Sequence, residues 1–215
     1  MDVELVNTYL ESLVKERPPL IHEMEQYANE HHVPIMELVG IEAILQILRI
    51  AQPKKILEIG TAIGYSAIRM ALTLPHAEIV TVERHKQRYD TALDFVKKSG
   101  RSKQIDILFG NALELEEQVK HRGPFDLLFI DAAKGQYKRF FEMYSPMLSQ
   151  DTIIITDNVL YKGFVASKID TENKRTNQLI SKIRNYNEWL MKNPLYDTTI
   201  LPVGDGMAIS KRRGD

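Results

Sequence analysis

Hydrophobic and polar positions follow two different periods along the chain. Over the first fifty residues the apolar side chains recur every three to four positions, which predicts amphipathic helices from the N-terminus to Pro18, over residues 20–31 and over residues 36–50. From Lys54 onward, short apolar runs alternate with further helical stretches. The runs that we interpret as strands are KKILEI, EIVTVE, QIDILF, FDLLFID and TIIITD. Five short apolar strands separated by helices predict a parallel sheet that is covered on both faces.

The remaining segments complete this architecture. Helical periods lie at about residues 66–74, 86–99, 112–121, 136–148 and 172–192. The segment DTTILPVGDGMAISK reads as two strands joined by a turn at Gly204-Asp205-Gly206. We therefore predict an α/β, Rossmann-like fold whose seven-stranded, mostly parallel sheet has a C-terminal antiparallel hairpin and extra N-terminal helices. A length of 215 residues with 44% apolar content suits one domain over residues 1–215.

The composition limits the chemistry that the chain can perform. It contains no cysteine, so disulfides, thiolate zinc sites and cysteine nucleophiles are excluded, and any metal must be bound by oxygen or imidazole. No stretch approaches about 18 uninterrupted apolar residues, and the acidic start MDVELVNTYLESL lacks the features of a signal peptide. We expect a soluble, cytoplasmic protein that contacts neither membrane nor DNA.

The formal net charge of −1 conceals an uneven distribution of charge. Residues 1–50 hold nine acids and three bases, whereas residues 84–103 and 162–192 each hold seven Lys or Arg. Two interpretations of these basic stretches are open: solvated helix faces, or surfaces for a polyanion such as RNA.

Polar residues and glycine follow each of the five predicted strands at its carboxyl end, where ligands bind in such sheets. These ends are Gly60, Glu83, Gly110-Asn111-Ala112, Asp131 and Asp157-Asn158. The first loop, with Gly60 and Gly64, lacks both the GxGxxG and the GxxxxGK[ST] patterns, so pyrophosphate binding is disfavoured. Gly60 with Glu83 still suits a nucleoside, because Glu83 can accept hydrogen bonds from both ribose hydroxyls. A purely structural turn is the alternative.

Five segments together resemble a known family: EIGTAIGYSAIRMA, VER, FIDAAKGQY, TDNVLYKG and LPVGDGMAIS. They are similar to the metal-dependent class I O-methyltransferases that include the catechol and caffeoyl-CoA O-methyltransferases, and the resemblance runs from about residue 33 to the C-terminus. It implies that the cofactor is S-adenosylmethionine. The residues that the resemblance assigns to the cofactor are Ile35, Glu58, Gly60, Ser66, Glu83, Asn111, Ala112 and Asp131.

The same resemblance implies a metal site and a catalytic pair. Asp131, Asp157 and Asn158 match the family's metal ligands, and three oxygen donors suit Mg²⁺ or another divalent cation. Lys134 resembles the catalytic lysine, with Asp131 beside it: the metal lowers the pKa of the acceptor hydroxyl and the lysine accepts the proton. Taken singly, Asp131 could instead cap a helix and Asp157-Asn158 could form a turn.

The metal chemistry demands an acceptor with two adjacent oxygens, which a catechol and 5-hydroxyuridine both provide. Overall the sequence looks most like the bacterial branch of the family that methylates 5-hydroxyuridine at the wobble position of tRNA to 5-methoxyuridine. Tyr161 and Phe164 could then stack on the base. The family's DHWK appears here as DAAK, so Ala133 removes an aromatic wall and leaves room for a larger substrate.

We therefore predict a tRNA methyltransferase. The alternatives are O-methylation of a small catechol-like or caffeoyl-CoA-like phenol, and a non-catalytic RNA-binding protein on the same scaffold. The resemblance also implies that residues 1–50 form a helical lid or a dimerisation segment, so the predicted partners are tRNA and a second copy of the chain.

Overall fold

The structure is a computed structural model that describes residues 3–167 and 171–214. Within these residues the chain forms eight α-helices and seven strands. The helices are α1 (Val3–Leu13), α2 (Pro19–Glu30), α3 (Leu38–Ala51), α4 (Tyr65–Thr73), α5 (Lys86–Lys98), α6 (Glu116–Lys120), α7 (Tyr137–Tyr144) and α8 (Lys174–Met191). The strands are β1 (Lys55–Ile59), β2 (Glu78–Glu83), β3 (Ile105–Phe109), β4 (Phe125–Ile130), β5 (Leu148–Thr156), β6 (Tyr196–Leu201) and β7 (Met207–Arg212).

All seven strands form one sheet in the order β3-β2-β1-β4-β5-β7-β6. Strands β1 to β5 pair in parallel, whereas β7 is antiparallel to both β5 and β6. This confirms the predicted mostly parallel sheet with a C-terminal hairpin. The chain order reverses between β1 and β4, and the crevice above that point is where open α/β sheets bind ligands.

Successive side chains of each central strand enter two different cores. In β4, Leu127 and Phe129 pack into the core beneath α2, α3, α4 and α5, while Leu128 and Ile130 pack into the core beneath α6, α7 and α8. All four side chains are fully buried. This alternation is why the strand reads as a continuous apolar run.

Three predicted boundaries were wrong, each for a local reason. Residues 111–115 form a turn, in which Asn111 accepts from the Leu113 N–H at 3.2 Å, so the helix predicted from residue 112 begins only at Glu116. The helix predicted over residues 136–148 becomes α7 flanked by short 3₁₀ turns, the second of which contains Pro146. Strand β5 begins earlier than expected because Leu148 pairs with Phe125.

The N-terminal helices differ in how deeply they pack. Helices α2 and α3 contribute fully buried residues to the first core, including Met24 and Ile44. Helix α1 leaves the side chains of Leu5, Tyr9 and Leu13 more than half exposed, at 71%, 62% and 61%. The role predicted for residues 1–50, a lid or a dimerisation segment, stays a prediction. In the part of the chain that the structure describes, no helix is both long and apolar enough to span a membrane.

Candidate active site

A cavity of about 720 Å³ lies at the carboxyl ends of the parallel strands. It brings together nine of the residues selected from the sequence: Ile35, Gly60, Glu83, Asn111, Ala112, Asp131, Lys134, Asp157 and Asn158. We call residues 58–66 with Glu83 the glycine-loop side, and Asp131, Lys134, Asp157 and Asn158 the carboxylate side.

Gly60 lies where the two sides touch. Its φ of +110° is a left-handed conformation that favours glycine, and its N–H donates to the Val82 carbonyl at 3.1 Å. A Cβ at this position would lie 1.9 Å from the Asp131 carbonyl oxygen. The loop therefore passes so close to the backbone after β4 that no larger residue fits without a shift of one of them.

Glu58 and Ser66 lie beneath the cavity wall rather than in it. Both are buried, and the Ser66 hydroxyl donates to one carboxylate oxygen of Glu58. The Thr81 hydroxyl donates to the other at 2.5 Å. Burial raises the pKa of Glu58 to about 7, although these two hydrogen bonds oppose the shift. In this structure the pair supports the glycine loop from below. That both residues contact the cofactor stays a prediction.

Glu83 is held rigidly by backbone donors. Its two carboxylate oxygens accept from the N–H of Ala62 at 2.8 Å and of His85 at 2.7 Å. Each oxygen keeps a further lone pair, so the carboxylate can still accept from the two hydroxyls of a ribose. Asn111 and Ala112 line the cavity next to it, at the end of β3.

Asp131 and Asp157 occupy equivalent places on neighbouring strands. The Asp131 N–H donates to the Ile59 carbonyl at 2.9 Å, and the Asp157 N–H donates to the Ile130 carbonyl at 3.0 Å, which continues the ladder past the strand ends. Burial raises the pKa of both carboxyls, and the negative charge of Asp131 raises that of Asp157 further. A cation bound near both carboxylates would relieve this repulsion.

Asn158 and Lys134 complete the carboxylate side. Asn158 has a φ of +58°, and its amide nitrogen donates to Asp157 at 3.0 Å. The Lys134 ammonium donates to the amide oxygen of Asn158 and lies 6.0 Å from the centre of the Tyr161 ring. Lys134 thus already contacts one of the three oxygen donors that the resemblance assigned to a metal.

These donors suit a hard cation in their chemistry. The set has two carboxylates and one amide oxygen, the ligand types that Mg²⁺ and Ca²⁺ prefer. Within residues 3–167 and 171–214 no cluster of three or more His, Cys, Asp or Glu side chains is positioned to hold a metal. The predicted set contains only two such residues, because its third member, Asn158, is an amide. Metal binding therefore remains a proposal.

One residue of this edge escaped the sequence analysis as part of the site. Asp205, in the β6–β7 turn, lines the cavity and accepts from the Leu160 N–H at 2.8 Å through its carbonyl. Its carboxylate accepts from the Lys162 N–H at 3.1 Å. The predicted hairpin was a signal for this position, since the turn of a hairpin that pairs with the last parallel strand can lie at the carboxyl edge of the sheet.

Within the two basic stretches, the structure gives some of the Lys and Arg residues one of three environments. Several pair with acids, among them Lys86 with Asp90 and Lys98 with Glu23. One, Arg184, donates to backbone carbonyls. Three line the cavity: Arg84, Arg88 and Lys162. Residues 168–170 of the second basic stretch lie outside the described residues. A surface for RNA stays a prediction.

The sheet order, the glycine loop and the cavity define a S-adenosylmethionine-dependent methyltransferase fold, and comparison with known proteins specifies it further. A family model described as O-methyltransferase matches residues 11–213. The chain belongs to this O-methyltransferase family, in which relatives of the caffeoyl-CoA and catechol type are found, and it is an O-methyltransferase that depends on S-adenosylmethionine.

Three similar proteins illustrate the match. The catechol O-methyltransferase of Niastella koreensis is 35% identical over 175 residues, which cover 77% of this chain and 77% of the relative. A crystal structure of a candidate caffeoyl-CoA O-methyltransferase from Staphylococcus aureus shares 38% identity with a TM-score of 0.92, over 97% of this chain and 100% of that one. An O-methyltransferase from Bacillus cereus, solved with S-adenosylhomocysteine, has 25% identity and a TM-score of 0.84, over 97% of each chain.

Proposed function

We propose that the chain transfers the methyl group of S-adenosylmethionine to one of two adjacent oxygens on an aromatic acceptor, in a reaction that needs a divalent cation. The observation that carries the proposal is the convergence of Asp131, Asp157, Asn158 and Lys134 on one side of a cavity whose other side is the glycine loop. Cofactor and acceptor would then meet near Gly60, where the two sides touch.

Each side has a separate task. The bound cofactor supplies the methyl group, and the chain orients it with the open backbone at Gly60, with Glu83 at the ribose and with Asn111 and Ala112 near the adenine. A divalent cation, when bound by Asp131, Asp157 and Asn158, lowers the pKa of a nearby hydroxyl. In its neutral amine form, Lys134 would accept the hydroxyl proton at Nζ and become the ammonium.

Positioning contributes most of the rate enhancement. Methyl transfer requires the acceptor oxygen in line with the methyl group at roughly 3 Å, and holding two reactants in this way is worth about 7–11 kcal/mol of the barrier. The Tyr161 ring, beside Lys134, supplies a flat apolar surface against which an aromatic acceptor can lie.

The acceptor class that the relatives favour is a catechol-like or caffeoyl-CoA-like phenol. The Niastella koreensis protein is named a catechol O-methyltransferase and the Staphylococcus aureus structure a candidate caffeoyl-CoA O-methyltransferase. Both names describe acceptors with two adjacent oxygens on a ring, as the donor set here requires.

A second candidate acceptor is 5-hydroxyuridine in tRNA. One observation favours it: Ala133 is exposed, so the wall beside Lys134 is open. The cations Arg84, Arg88 and Lys162, which line the cavity, suit any acceptor that carries phosphate, which includes both tRNA and caffeoyl-CoA but not a simple catechol. Affinity for tRNA would fall steeply with salt because counterions are released, whereas affinity for a neutral catechol would barely respond.

The test is methyl transfer from labelled S-adenosylmethionine to three acceptors: catechol, caffeoyl-CoA and tRNA that contains 5-hydroxyuridine. Each reaction is run after EDTA treatment and again with Mg²⁺ restored, and products are identified by mass spectrometry. We expect transfer to at least one acceptor only with the metal present. Transfer that is equal with EDTA would overturn the metal site, and transfer to tRNA alone would replace the phenol as substrate.

A further inference from the structure

The segment that follows Asn158, residues 159–167, borders the carboxylate side and carries two cavity-lining residues. Tyr161 and Lys162 both line the cavity, and both have left-handed φ angles, of +45° and +54°. Because such angles are unfavourable for side chains other than glycine, the surrounding structure must hold them in place. We call residues 159–167 the acceptor loop.

The first half of the acceptor loop is held by the β6–β7 turn. The Val159 N–H donates to the Gly206 carbonyl at 2.9 Å, and the N–H groups of Leu160 and Tyr161 donate to the Asp205 carbonyl at 2.8 and 3.1 Å. This turn fixes the loop where it leaves β5. It does not reach the second half.

The second half coils on itself and ends in outward-facing carbonyls. The Phe164 N–H donates to the Tyr161 carbonyl at 3.0 Å, and the Ser167 N–H donates to the Phe164 carbonyl at 3.2 Å, as in the last turns of a helix. Carbonyl oxygens at the end of such turns can accept further hydrogen bonds. Here three of them accept from one side chain of α8.

That side chain is Arg184. Its Nε donates to the Val165 carbonyl at 2.9 Å, and its Nη2 donates to the carbonyls of Phe164, at 3.3 Å, and Ser167. In the described part of the chain Arg184 forms no ion pair with an acid. A planar guanidinium can reach three carbonyls at once, whereas a lysine ammonium is a single point of donation.

A second residue of α8 reinforces this attachment one turn further along. The Asn187 side chain is buried, and its amide nitrogen donates to the Val159 carbonyl at 2.8 Å. Its amide oxygen has no hydrogen-bond partner within the described residues. Leaving a buried acceptor unpaired costs free energy. The side-chain amide of Asn187 is nevertheless oriented so that its nitrogen bonds the loop, while its own oxygen has no partner among the described residues.

We propose that Arg184 is a positioning residue of the methyltransferase: through three backbone carbonyls it holds the acceptor loop, and with it Tyr161 and Lys162, against the acceptor. The inference rests on the proposed function, which places the acceptor beside Lys134. Three of the five N–H donors of Arg184 are therefore directed at the loop, through Nε and Nη2.

The test compares Arg184→Met and Arg184→Lys with the matched control Lys192→Met, which removes an exposed charge near the end of the same helix. Steady-state kinetics give KM and kcat for whichever acceptor the wild-type enzyme methylates. Calorimetry gives the Kd for S-adenosylmethionine, and hydrogen exchange read by mass spectrometry reports on residues 159–167.

We expect Arg184→Met to raise the KM for the acceptor at least tenfold and to accelerate exchange in the acceptor loop, with the cofactor Kd within twofold of the wild type. Arg184→Lys should recover part of both losses, and Lys192→Met should change neither. If exchange accelerates while the acceptor KM and kcat stay within twofold of the wild type, Arg184 holds the loop without positioning the acceptor, and the proposal is wrong.

The same measurements separate this inference from the proposed function. A wild-type enzyme that methylates none of the three acceptors would contradict the proposed function. Hydrogen exchange in the acceptor loop would then test only whether Arg184 holds the loop. Unchanged exchange in Arg184→Met would show that it does not. If Arg184→Met does not fold, the test uses Arg184→Ala, to which free guanidinium is added to replace the missing group. The proposal is contradicted if neither added guanidinium nor the Arg184→Lys substitution restores a low KM for the acceptor.

Discussion

The glycine-loop side and the carboxylate side of the cavity are built in opposite ways. On the glycine-loop side the acids are already bonded within the protein: Glu58 accepts from two hydroxyls and Glu83 from two backbone N–H groups. On the carboxylate side burial raises the pKa of both Asp131 and Asp157, the charge of Asp131 raises the pKa of Asp157 further, and Lys134 donates to the neighbouring amide of Asn158. The first side is complete in the protein alone, and the second carries charge that a bound cation would balance.

This difference teaches which properties can be separated by mutation. Changes on the glycine-loop side should act on folding and on cofactor affinity, because packing and internal hydrogen bonds hold that side. Changes on the carboxylate side should act on turnover and leave stability nearly intact, because its groups interact through charge and with the substrate. Gly60 lies at the contact between the sides and should affect both.

The largest expected effect is confined to the carboxylate side. Lys134→Ala removes the proposed proton acceptor and should lower kcat by about 10²–10⁴-fold, while the Kd for S-adenosylmethionine stays near that of the wild type. Steady-state kinetics and calorimetry measure the two quantities. Lys138→Ala, which removes an exposed lysine four residues away, is the control. Equal turnover in Lys134→Ala would remove this lysine from the mechanism.

Gly60→Ala should disturb both the glycine-loop side and the carboxylate side of the cavity. The new methyl group would lie 1.9 Å from the Asp131 carbonyl oxygen at a φ of +110°, so we expect the free energy of unfolding to fall by at least about 3 kcal/mol and cofactor binding to weaken. Urea denaturation and calorimetry measure these changes. Gly100→Ala is the matched control, because Gly100 has a φ of +69° with nothing within 4 Å of an added Cβ.

That control should lose only about 1–2 kcal/mol, the cost of a left-handed conformation for a residue with a side chain. If the free energy of unfolding falls equally in the two variants, the close contact between Gly60 and Asp131 contributes nothing beyond the cost of the left-handed conformation.

Glu58 gives the glycine-loop side a defined pH dependence. Its pKa is raised from 4.5 to about 7 in the folded protein, so between these pH values the folded state binds more protons than the unfolded state. The contribution of Glu58 to stability is therefore present at low pH and is lost as pH rises towards 7, by about 2–3 kcal/mol.

Replacing Glu58 by Gln removes this titration. Urea denaturation in EDTA at pH 5 and pH 8 should show a smaller loss of stability for Glu58→Gln than for the wild type. Glu78→Gln, at an exposed position on the neighbouring strand, should keep the wild-type difference. The prediction fails if the loss between the two pH values is the same in all three proteins.

The smallest effect is expected at Ser66. Ser66→Ala removes one hydroxyl from Glu58 but leaves the Thr81 hydroxyl in place, so the free energy of unfolding should fall by about 1 kcal/mol. Chemical denaturation measures it against Ser102→Ala, an exposed serine. A loss far above this value would mean that Ser66 has a second role in holding the loop.

Much of the fold was predictable because it depends on local patterns. The apolar runs of β1 to β5 mark strands buried on both faces, and polar residues that end such runs must meet at one edge of a parallel sheet. For this reason Asp131 and Asp157, 26 positions apart, could be placed together before any coordinates were considered. The cavity residues found in this way follow from chain direction alone.

What the sequence did not reveal depends on contacts between distant segments. Periodicity carries no information on where β7 inserts, so the approach of Asp205 to the acceptor loop was missed. The charge of Arg184 indicated a solvated or RNA-binding surface, yet its Nε and Nη2 donate to backbone carbonyls of the acceptor loop. The hydrogen bond from Ser66 to Glu58 also joins two segments in a way that periodicity does not show, and the prediction that both residues contact the cofactor stays a prediction.

The direction of the last strand has a practical consequence for handling the protein. Because Ala208 pairs with Thr156 and Lys211 with Ile153, β7 begins at the cavity edge and runs away from it. A fusion partner or surface linker attached beyond Arg212 would therefore leave from the opposite edge of the sheet, with the cavity mouth accessible to large ligands. A cut in the turn that precedes Met207 would instead detach the segment that holds Leu160 and Tyr161 in place.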